Sequence, residues 1–202
     1  MKHKIVVFDL DQTLGFFDQI VYIINQTRTE NYAPLFDLFP EIFRPQLFEL
    51  LNSLALLKRN KRIQGIVLYT NNRNEDFVHQ VIQYIHTKLG YPLFEPVLTY
   101  HSVERTTREK TYQDLFACIK DGSTHLFCFI DDKYHERMVH ADIYYIHSEA
   151  YHYVLDKKEV NKRIRTTIPL FKTKKRNLPI NLHKRVTEYI VSKLKEFMRR
   201  QG

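Results

Sequence analysis

Three short apolar runs, each followed at once by a polar side chain, constrain the fold of this chain more than any other feature. With the residues that end them, the runs are Ile5–Asp9, Ile63–Thr70 and Leu126–Asp131. Short runs rich in β-branched residues are typical of strands buried on both faces of a parallel sheet. Because helical patterns separate them, the sequence predicts an α/β fold in which these strand ends meet at one edge.

The segments between the strands predict helices. Leucines repeat at helical spacing after Pro45, and a second apolar stripe ends at Gly90, a common residue just beyond a helix. A third helix is predicted over Thr111–Lys120. Weaker strands are predicted over Val97–Tyr100 and Ile143–Ile146, so strands and helices alternate along most of the chain.

In one segment, the apolar residues follow neither the spacing of a helix nor the alternation of a strand. Residues 14–25 are rich in Phe, Ile, Val and Tyr but alternate poorly, so we expect a hairpin or an irregular flap there. The prolines that follow predict a loop. The aromatic residues of this stretch are candidates for an apolar substrate groove or, more simply, for core packing: Tyr22, Tyr32, Phe36 and Phe39.

Composition excludes several classes of protein. The 202 residues are 44% hydrophobic and 27% charged, which suits one ordinary domain and disfavours disorder. No apolar run approaches the ~18 residues of a membrane span, and the start does not resemble a secretory signal. Cys118 and Cys128 are too few for a disulfide framework or a four-cysteine zinc site. We expect an intracellular protein, cytoplasmic or nuclear.

The positive charge is concentrated near the C-terminus. The chain carries a net +8, and residues 157–202 hold 15 Lys and Arg against 3 Glu. We predict a core domain over 1–172 and a basic amphipathic helix over 173–202, packed on that core. An acidic partner such as nucleic acid is an alternative role for the basic face, as are dimerisation and contact with a membrane surface. Lys172–Arg176 resembles a nuclear import patch.

Two carboxylates follow the first strand, in Asp9-Leu10-Asp11-Gln12-Thr13. Like charges this close repel one another and raise each other's pKa, so a buried strand gains no stability from them. Such a pair indicates a cation site or a catalytic function. Capping of a turn is the structural alternative.

The polar residues at the strand ends resemble, in order, the four motifs of the haloacid dehalogenase (HAD) superfamily of phosphotransferases. Asp9–Thr13 matches the first motif, and Thr70 matches the second. Lys110 matches the third, and the pair Asp131-Asp132 matches the fourth. The resemblance implies a three-layer, Rossmann-type arrangement around the parallel sheet.

Two of these matches have alternatives. Thr70 alone would also suit an ordinary strand end. Lys120 also precedes the third strand, but it lies where the helix ends, whereas Lys110 lies where the helix begins. We therefore assign the third motif to Lys110.

The resemblance implies a role for each matching residue. Asp9 is the expected nucleophile, which forms an aspartyl phosphate. Asp11 is expected to protonate the leaving oxygen and then to accept a proton from water. The residues expected to hold phosphoryl oxygens are Thr13, Thr70, Asn71 and Lys110.

The resemblance also implies Mg²⁺ as the cofactor, since hard oxygen ligands suit this cation. Its expected ligands are Asp9, the backbone carbonyl of Asp11 and an acid of the pair Asp131-Asp132. We favour Asp132 as the direct ligand and Asp131 as the partner of Lys110. The cation would offset the repulsion between a carboxylate nucleophile and a phosphate dianion.

The intervals between motifs are too short for a full cap domain. Only 58 residues separate Asp11 from Thr70, and 39 separate Thr70 from Lys110. Each interval must already supply helices and a strand of the core. An open site of this kind favours a macromolecular substrate over a metabolite.

Within the superfamily, the chain is most similar to the capless Fcp/Scp-like (NLI-interacting factor-like) phosphatases of the RNA polymerase II C-terminal tail. The similar segments are residues 9–14, Lys110 with Asp114-Leu115, and Ile168–Phe171. The chain departs from that pattern at its second motif, Tyr-Thr-Asn, and directly after its fourth, where Lys-Tyr-His follows.

The resemblance thus implies a Mg²⁺-dependent phosphomonoester hydrolase acting on phosphoserine or phosphothreonine of a protein. One alternative is a phosphatase of the same fold acting on nucleic-acid 3′-phosphate ends, which the basic C-terminus favours. Another is a catalytically silent binding module of this fold. The presence of all four motif types argues against the silent module.

Overall fold

A single sheet of five strands organises the molecule. The computed structural model describes residues 2–119, 124–165 and 177–200. The strands are β1 (His3–Phe8), β2 (Gly65–Tyr69), β3 (Val97–Leu98), β4 (His125–Asp131) and β5 (Ile143–His147). All pairings are parallel, in the order β3-β2-β1-β4-β5. The predicted α/β fold with a central parallel sheet is confirmed.

Helices cover both faces of this sheet. The helices are α1 (Asp18–Thr27), α2 (Ala33–Leu38), α3 (Leu47–Arg59), α4 (Glu75–Leu89), α5 (Tyr112–Cys118), α6 (Lys157–Ile164) and α7 (Ile180–Arg199). Alternate residues of β1 serve the two layers, because successive strand side chains point to opposite faces. Val6 and Phe8 belong to the core cluster that the other helices share, whereas Val7 belongs to a second cluster with Leu115 of α5. The result is a three-layer arrangement, as the resemblance implies.

The predicted helices α3, α4 and α5 are confirmed, and side-chain caps begin α4 and α5. The Asn74 side chain accepts a hydrogen bond from the Phe77 amide at the start of α4, and Gly90 ends that helix with a φ of 59°. The Thr111 side chain caps α5 in the same way. Lys120, the rival to Lys110, lies outside the described residues.

The flap predicted over residues 14–25 is wrong, and so is the long loop after it. Only residues 14–17 are irregular, and from Asp18 onward the segment forms α1; the proline-rich stretch forms α2 and a short 3₁₀ turn. Aromatic packing decides this outcome: the ring of Phe36 lies 5.8 Å from that of Phe43 and 6.3 Å from that of Phe77, edge to face. Phe36 and Phe39 are fully buried, so they serve the core and not a substrate groove.

Helix α7 packs along the same layer as α3. Its buried stripe joins the core through Val186, Ile190, Leu194 and Phe197, while the neighbouring Tyr189 is exposed. The predicted boundary at residue 172, the Ile168–Phe171 segment and the import-like patch lie outside the described residues. Within the described ranges, no helix is long and apolar enough to cross a membrane.

Strand register places the candidate site. Phe8 is paired with Leu68 of β2 and with Ile130 of β4. The residues that follow β1 and β2, and the last residue of β4, therefore reach the same edge of the sheet. That edge holds Asp9, Thr70 and Asp131, as parallel strands require.

Candidate active site

A tight turn after β1 presents the first two carboxylates. Gln12 takes a left-handed conformation with a φ of 64°, and its amide donates to the Gly15 carbonyl over 2.6 Å. A Cβ atom on Gly15 would lie 2.6 Å from the Ile42 carbonyl oxygen, closer than real contacts allow. Glycine is therefore required at this position, and the turn holds Asp11 at the sheet edge.

A buried arginine fastens this turn to a distant loop. The Arg44 guanidinium donates to the Thr13 carbonyl over 2.7 Å, to the Gln12 carbonyl over 2.9 Å and to the Glu149 carbonyl over 2.8 Å. Its side chain lies against the ring of Tyr151, whose amide donates to the Gln12 carbonyl as well. Although burial lowers the pKa of Arg44 to about 10, the guanidinium stays charged at neutral pH.

Lys110 is the centre of the site. Its ammonium group donates to Asp9 and, over 2.6 Å, to Asp131, and it lies within 6 Å of two aromatic rings, those of Tyr69 and Phe129. Only 2% of Lys110 is exposed. A buried cation of this kind is stable only with charged partners, which here are the two carboxylates.

The segment before Lys110 is held firmly. Arg105 donates to the Thr70 carbonyl over 3.1 Å and to the Arg108 and Glu109 carbonyls, each over 3.0 Å. Arg105 therefore ties the end of β2 to the turn that leads into Lys110. The Thr111 amide donates to the Tyr69 hydroxyl over 3.0 Å, which fixes the start of α5 against the same strand.

Proton affinities at the centre are shifted in opposite directions. Burial raises the pKa of Asp9, and the neighbouring carboxylates Asp131 and Asp11 add to this effect against the influence of Lys110. Burial also opposes ionisation of Asp131, but Lys110 and a hydrogen bond from His135 hold the pKa of Asp131 below its usual range. Burial alone would lower the pKa of Lys110, yet the two carboxylates outweigh it and raise that pKa.

Asp11 faces Asn72. The Asn72 side-chain amide donates to the two carboxylate oxygens of Asp11 over 3.0 and 3.3 Å, and the Asn72 backbone amide donates to the Thr70 hydroxyl over 3.1 Å. Burial raises the pKa of Asp11, while the Asn72 hydrogen bonds work to lower it. As a residue, Asp11 is half-buried, whereas Asp9 is buried.

Asp132 lies on the other side of the turn. The Thr13 hydroxyl accepts from the Asp132 amide over 3.0 Å and lies 3.3 Å from its carboxylate. Burial, followed by the charge of Asp131, raises the pKa of Asp132. The His147 ring nitrogen lies 2.9 Å from the Asp132 carbonyl oxygen, so a histidine supports this segment from β5.

Three carboxylates meet closely enough to hold a metal ion. Oxygen atoms of Asp9, Asp131 and Asp132 all lie within 4.8 Å of one another. Both oxygens of Asp131 already accept hydrogen bonds, one from Lys110 and the other, over 2.8 Å, from the Lys133 amide. This arrangement favours Asp132 as the ligand with more room for a cation. An all-oxygen donor set with raised pKa values at Asp9 and Asp132 fits a hard divalent ion such as Mg²⁺.

Most of the residues singled out from the sequence meet at this edge. Asp9, Thr70 and Lys110 are buried there, with Asp11 and Thr13 on the turn above β1. Asp131 and Asp132 join them at the end of β4. Asn71, expected to hold phosphate, has an exposed side chain, and its neighbour Asn72 is the residue that contacts Asp11.

Sequence reasoning missed four residues around the centre. Arg44 and Arg105 hold backbone carbonyls, Asn72 holds Asp11, and the His135 ring lies 3.3 Å from Asp131. Asn72 had a signal, since it stands next to the second motif. The two arginines had none, because Arg44 reaches carbonyls 31 to 105 residues away and Arg105 reaches the Thr70 carbonyl 35 residues away.

Comparisons with protein-family models, with curated proteins and with solved structures found no match to this chain.

Proposed function

We propose that this chain is a Mg²⁺-dependent phosphomonoester hydrolase of the HAD superfamily that uses Asp9 as its nucleophile. One observation carries the proposal: Lys110 joins Asp9 to Asp131 inside a buried site at the carboxyl edge of a parallel sheet. Such a costly arrangement of buried charges gives the fold little stability. It is well suited to binding and attacking a phosphoryl group.

In the proposed reaction, a carboxylate oxygen of Asp9 attacks phosphorus, and the bond from phosphorus to the leaving alcohol oxygen breaks. Asp11 donates a proton to that oxygen. Water then attacks the aspartyl phosphate, Asp11 accepts the proton of that water, and inorganic phosphate leaves as the Asp9 carboxylate is restored. Lys110 and the Thr70 hydroxyl hold phosphoryl oxygens as negative charge develops.

Asp9, Asp132 and the backbone carbonyl of Asp11 are the groups proposed to hold the metal ion, with Asp131 kept as the partner of Lys110. When bound, the ion neutralises charge on the phosphoryl group. Burial raises the pKa of Asp9, and the protein's own part is the charge of Lys110, which opposes that rise and favours the ionised carboxylate. Thr13, fixed by Arg44, holds Asp132 in place.

The surroundings of the site support a macromolecular substrate. Helices α1 and α2 pack into the core through buried residues such as Ile20 and Phe36. The side chains of Asn71, Lys133 and Tyr134, close to the carboxylates in sequence, are exposed. We propose phosphoserine or phosphothreonine of a protein as the substrate, such as a segment similar to the polymerase tail.

The test is hydrolysis of an aryl phosphate with Mg²⁺ by wild type and by Asp9→Asn. The proposal expects turnover that requires the metal and is lost in the variant. A panel of phosphopeptides and 3′-phosphorylated oligonucleotides then separates the two substrate classes. If wild type hydrolyses neither the aryl phosphate nor any member of the panel, the chain is a binding module and the proposal fails.

A further inference from the structure

The amino edge of the sheet, opposite the candidate active site, gathers cations from three distant segments. Lys4 stands in β1, and its ammonium group donates to the Met198 carbonyl near the end of α7 over 2.6 Å. The Lys4 carbonyl accepts from the Gln64 amide over 2.7 Å, which brings the basic segment after α3 alongside. Arg62 acts electrostatically on Lys4 and lines one groove with Lys195 and Arg199. These four cations, together with Arg59, Lys61 and Arg200 of the same segments, are called the basic edge below.

All members of the basic edge except the half-buried Lys4 are exposed. None of them forms an ion pair with a carboxylate in the part of the chain that the structure describes. On α7, Glu196 is held by Lys193 over 2.9 Å and by the Tyr144 hydroxyl over 2.7 Å. The hydrogen bond from Lys193 is the main cause of the lowered pKa of Glu196, to which the charge of Arg199 also contributes. Positive charge on this surface is therefore largely uncompensated by protein groups.

Helix ends explain only part of this charge. Helices α3 and α7 both end at the basic edge, and each end carries roughly half a negative charge, which favours nearby cations. Together they supply about one negative charge against the cations named above. A groove between the two helices is lined by Arg62, Lys195 and Arg199 at this end, and by Glu49 and Glu188 at the other. Glu49 lies two helical turns, roughly 12 Å, before Leu57 near the end of α3. Because salt screens charges beyond ~10 Å, Glu49 compensates little of the positive charge at the basic edge.

We propose that the basic edge binds nucleic acid through its backbone phosphates. Cations spread over three elements suit a linear polyanion, which presents phosphates at regular spacing. Aromatic rings lie beside two of them: the Arg59 guanidinium is 4.4 Å from the ring centre of Tyr91, and that of Arg200 is 4.3 Å from that of Tyr144. A lipid surface fits less well, because a helix that binds a membrane surface inserts a whole apolar face. On α3, a single large apolar side chain, Leu56, is exposed beside these cations.

Binding here would leave the candidate active site free. Lys4 lies near the start of β1 and Asp9 directly after its end, so five extended residues, roughly 17 Å, separate them. A nucleic acid on the basic edge is thus a tether and not a substrate. The inference does not depend on the proposed phosphatase activity.

The test measures the fluorescence anisotropy of labelled oligonucleotides about 20 nucleotides long, with EDTA present. The probes are single-stranded DNA, duplex DNA and single-stranded RNA. Wild type is expected to bind, with an affinity that falls steeply as salt rises. The double variant Arg62→Gln/Arg199→Gln is expected to bind at least about tenfold more weakly and to lower the log–log salt slope by about 2.

The matched control is Lys184→Gln/Arg185→Gln, which removes the same charge from exposed positions at the other end of α7. The proposal expects near wild-type binding by this control and by Asp9→Asn. Three results would overturn it: no binding by wild type at low salt, unchanged binding by the first double variant, or equal loss in both double variants. Binding to phosphatidylserine vesicles without binding to oligonucleotides would instead identify a membrane surface and also overturn it.

Discussion

The two edges of the sheet carry charge in opposite ways. At the carboxyl edge, Lys110, Asp9 and Asp131 are buried and joined to one another. At the amino edge, Arg62 and Arg199 are exposed and unpaired with acids among the described residues. Charges interact strongly where water is excluded and weakly where salt screens them. The first edge therefore suits the proposed reaction on one phosphoryl group, and the second suits the proposed binding of an extended anion.

The largest effect is expected at the nucleophile. Asp9→Asn should lower turnover of an aryl phosphate by at least about 10³-fold, since an amide cannot form the acyl phosphate. The matched control is Asp76→Asn, an exposed acid in the first turn of α4, which should keep full activity. Steady-state kinetics at saturating Mg²⁺ measure both. Equal activity in Asp9→Asn and wild type would remove Asp9 from the reaction.

Stability should depend strongly on the buried lysine. Lys110→Met leaves two carboxylates in contact without their cation, which should lower the free energy of unfolding by about 3–5 kcal/mol. Urea denaturation at neutral pH measures this loss. The variant should recover part of it as the pH falls, because protonation removes the uncompensated charge. Lys61→Met, an exposed control, should change stability little. Equal stability of Lys110→Met and wild type would contradict the account.

A smaller effect is expected where Arg44 holds the turn after β1. Arg44→Gln leaves the carbonyls of Gln12, Thr13 and Glu149 without these hydrogen bonds, and should cost about 1–3 kcal/mol of folding free energy. It should also weaken Mg²⁺ binding, because Thr13 positions Asp132. Thermal melting and titration calorimetry measure the two effects separately.

Arg44→Lys serves as the comparison for that variant. It keeps the charge but not the planar fork that reaches three carbonyls, so it should restore little of the lost Mg²⁺ affinity. Full rescue by lysine would show that charge alone matters at this position. The exposed Arg137→Gln should behave as wild type in both measurements.

Much of the site was predictable from the sequence because it depends on strand ends. A buried parallel strand has a recognisable pattern, and the residue after it must lie at the carboxyl edge. The apolar runs alone were therefore enough to place Asp9, Thr70 and Asp131 together. Lys110 could be placed from its position at the start of a helix, which Thr111 then caps.

The remaining features depend on tertiary contacts that no local pattern encodes. Helix α1 was missed because its apolar stripe is short. Burial of Ile20, Ile23 and Ile24 in the core that also holds the aromatic rings of α2 and α4 decides its conformation. Arg44 acts on a loop more than a hundred residues away. The basic edge likewise combines segments from both ends of the chain, so composition alone assigned its charge to the C-terminus.

Metal affinity should depend on pH in a defined direction. The pKa values of Asp9 and Asp132 are both raised, so Mg²⁺ must compete with protons. Apparent Mg²⁺ affinity should be highest above the raised values and fall as the pH drops, by up to about tenfold per pH unit for one displaced proton. Calorimetric titrations between about pH 8 and about pH 6 measure this trend. Affinity that rises on acidification would contradict it.

The smallest effect is expected on stability at the amino edge. Arg62→Gln/Arg199→Gln should change the free energy of unfolding by less than about 0.5 kcal/mol, because exposed charges contribute little to folding. The contrast with Lys110→Met, measured in the same urea series, sharpens the comparison of the two edges. A loss as large as that of Lys110→Met would show that the basic edge is a structural element.

The most direct test of the central claim is to trap the covalent intermediate. Wild type is mixed with an aryl phosphate and Mg²⁺, quenched rapidly in acid, digested and analysed by mass spectrometry. The account predicts one added phosphoryl group on the peptide that contains Asp9, absent from Asp9→Asn. Turnover with the phosphoryl group on another residue, such as a histidine, would contradict the assignment of Asp9 as the nucleophile.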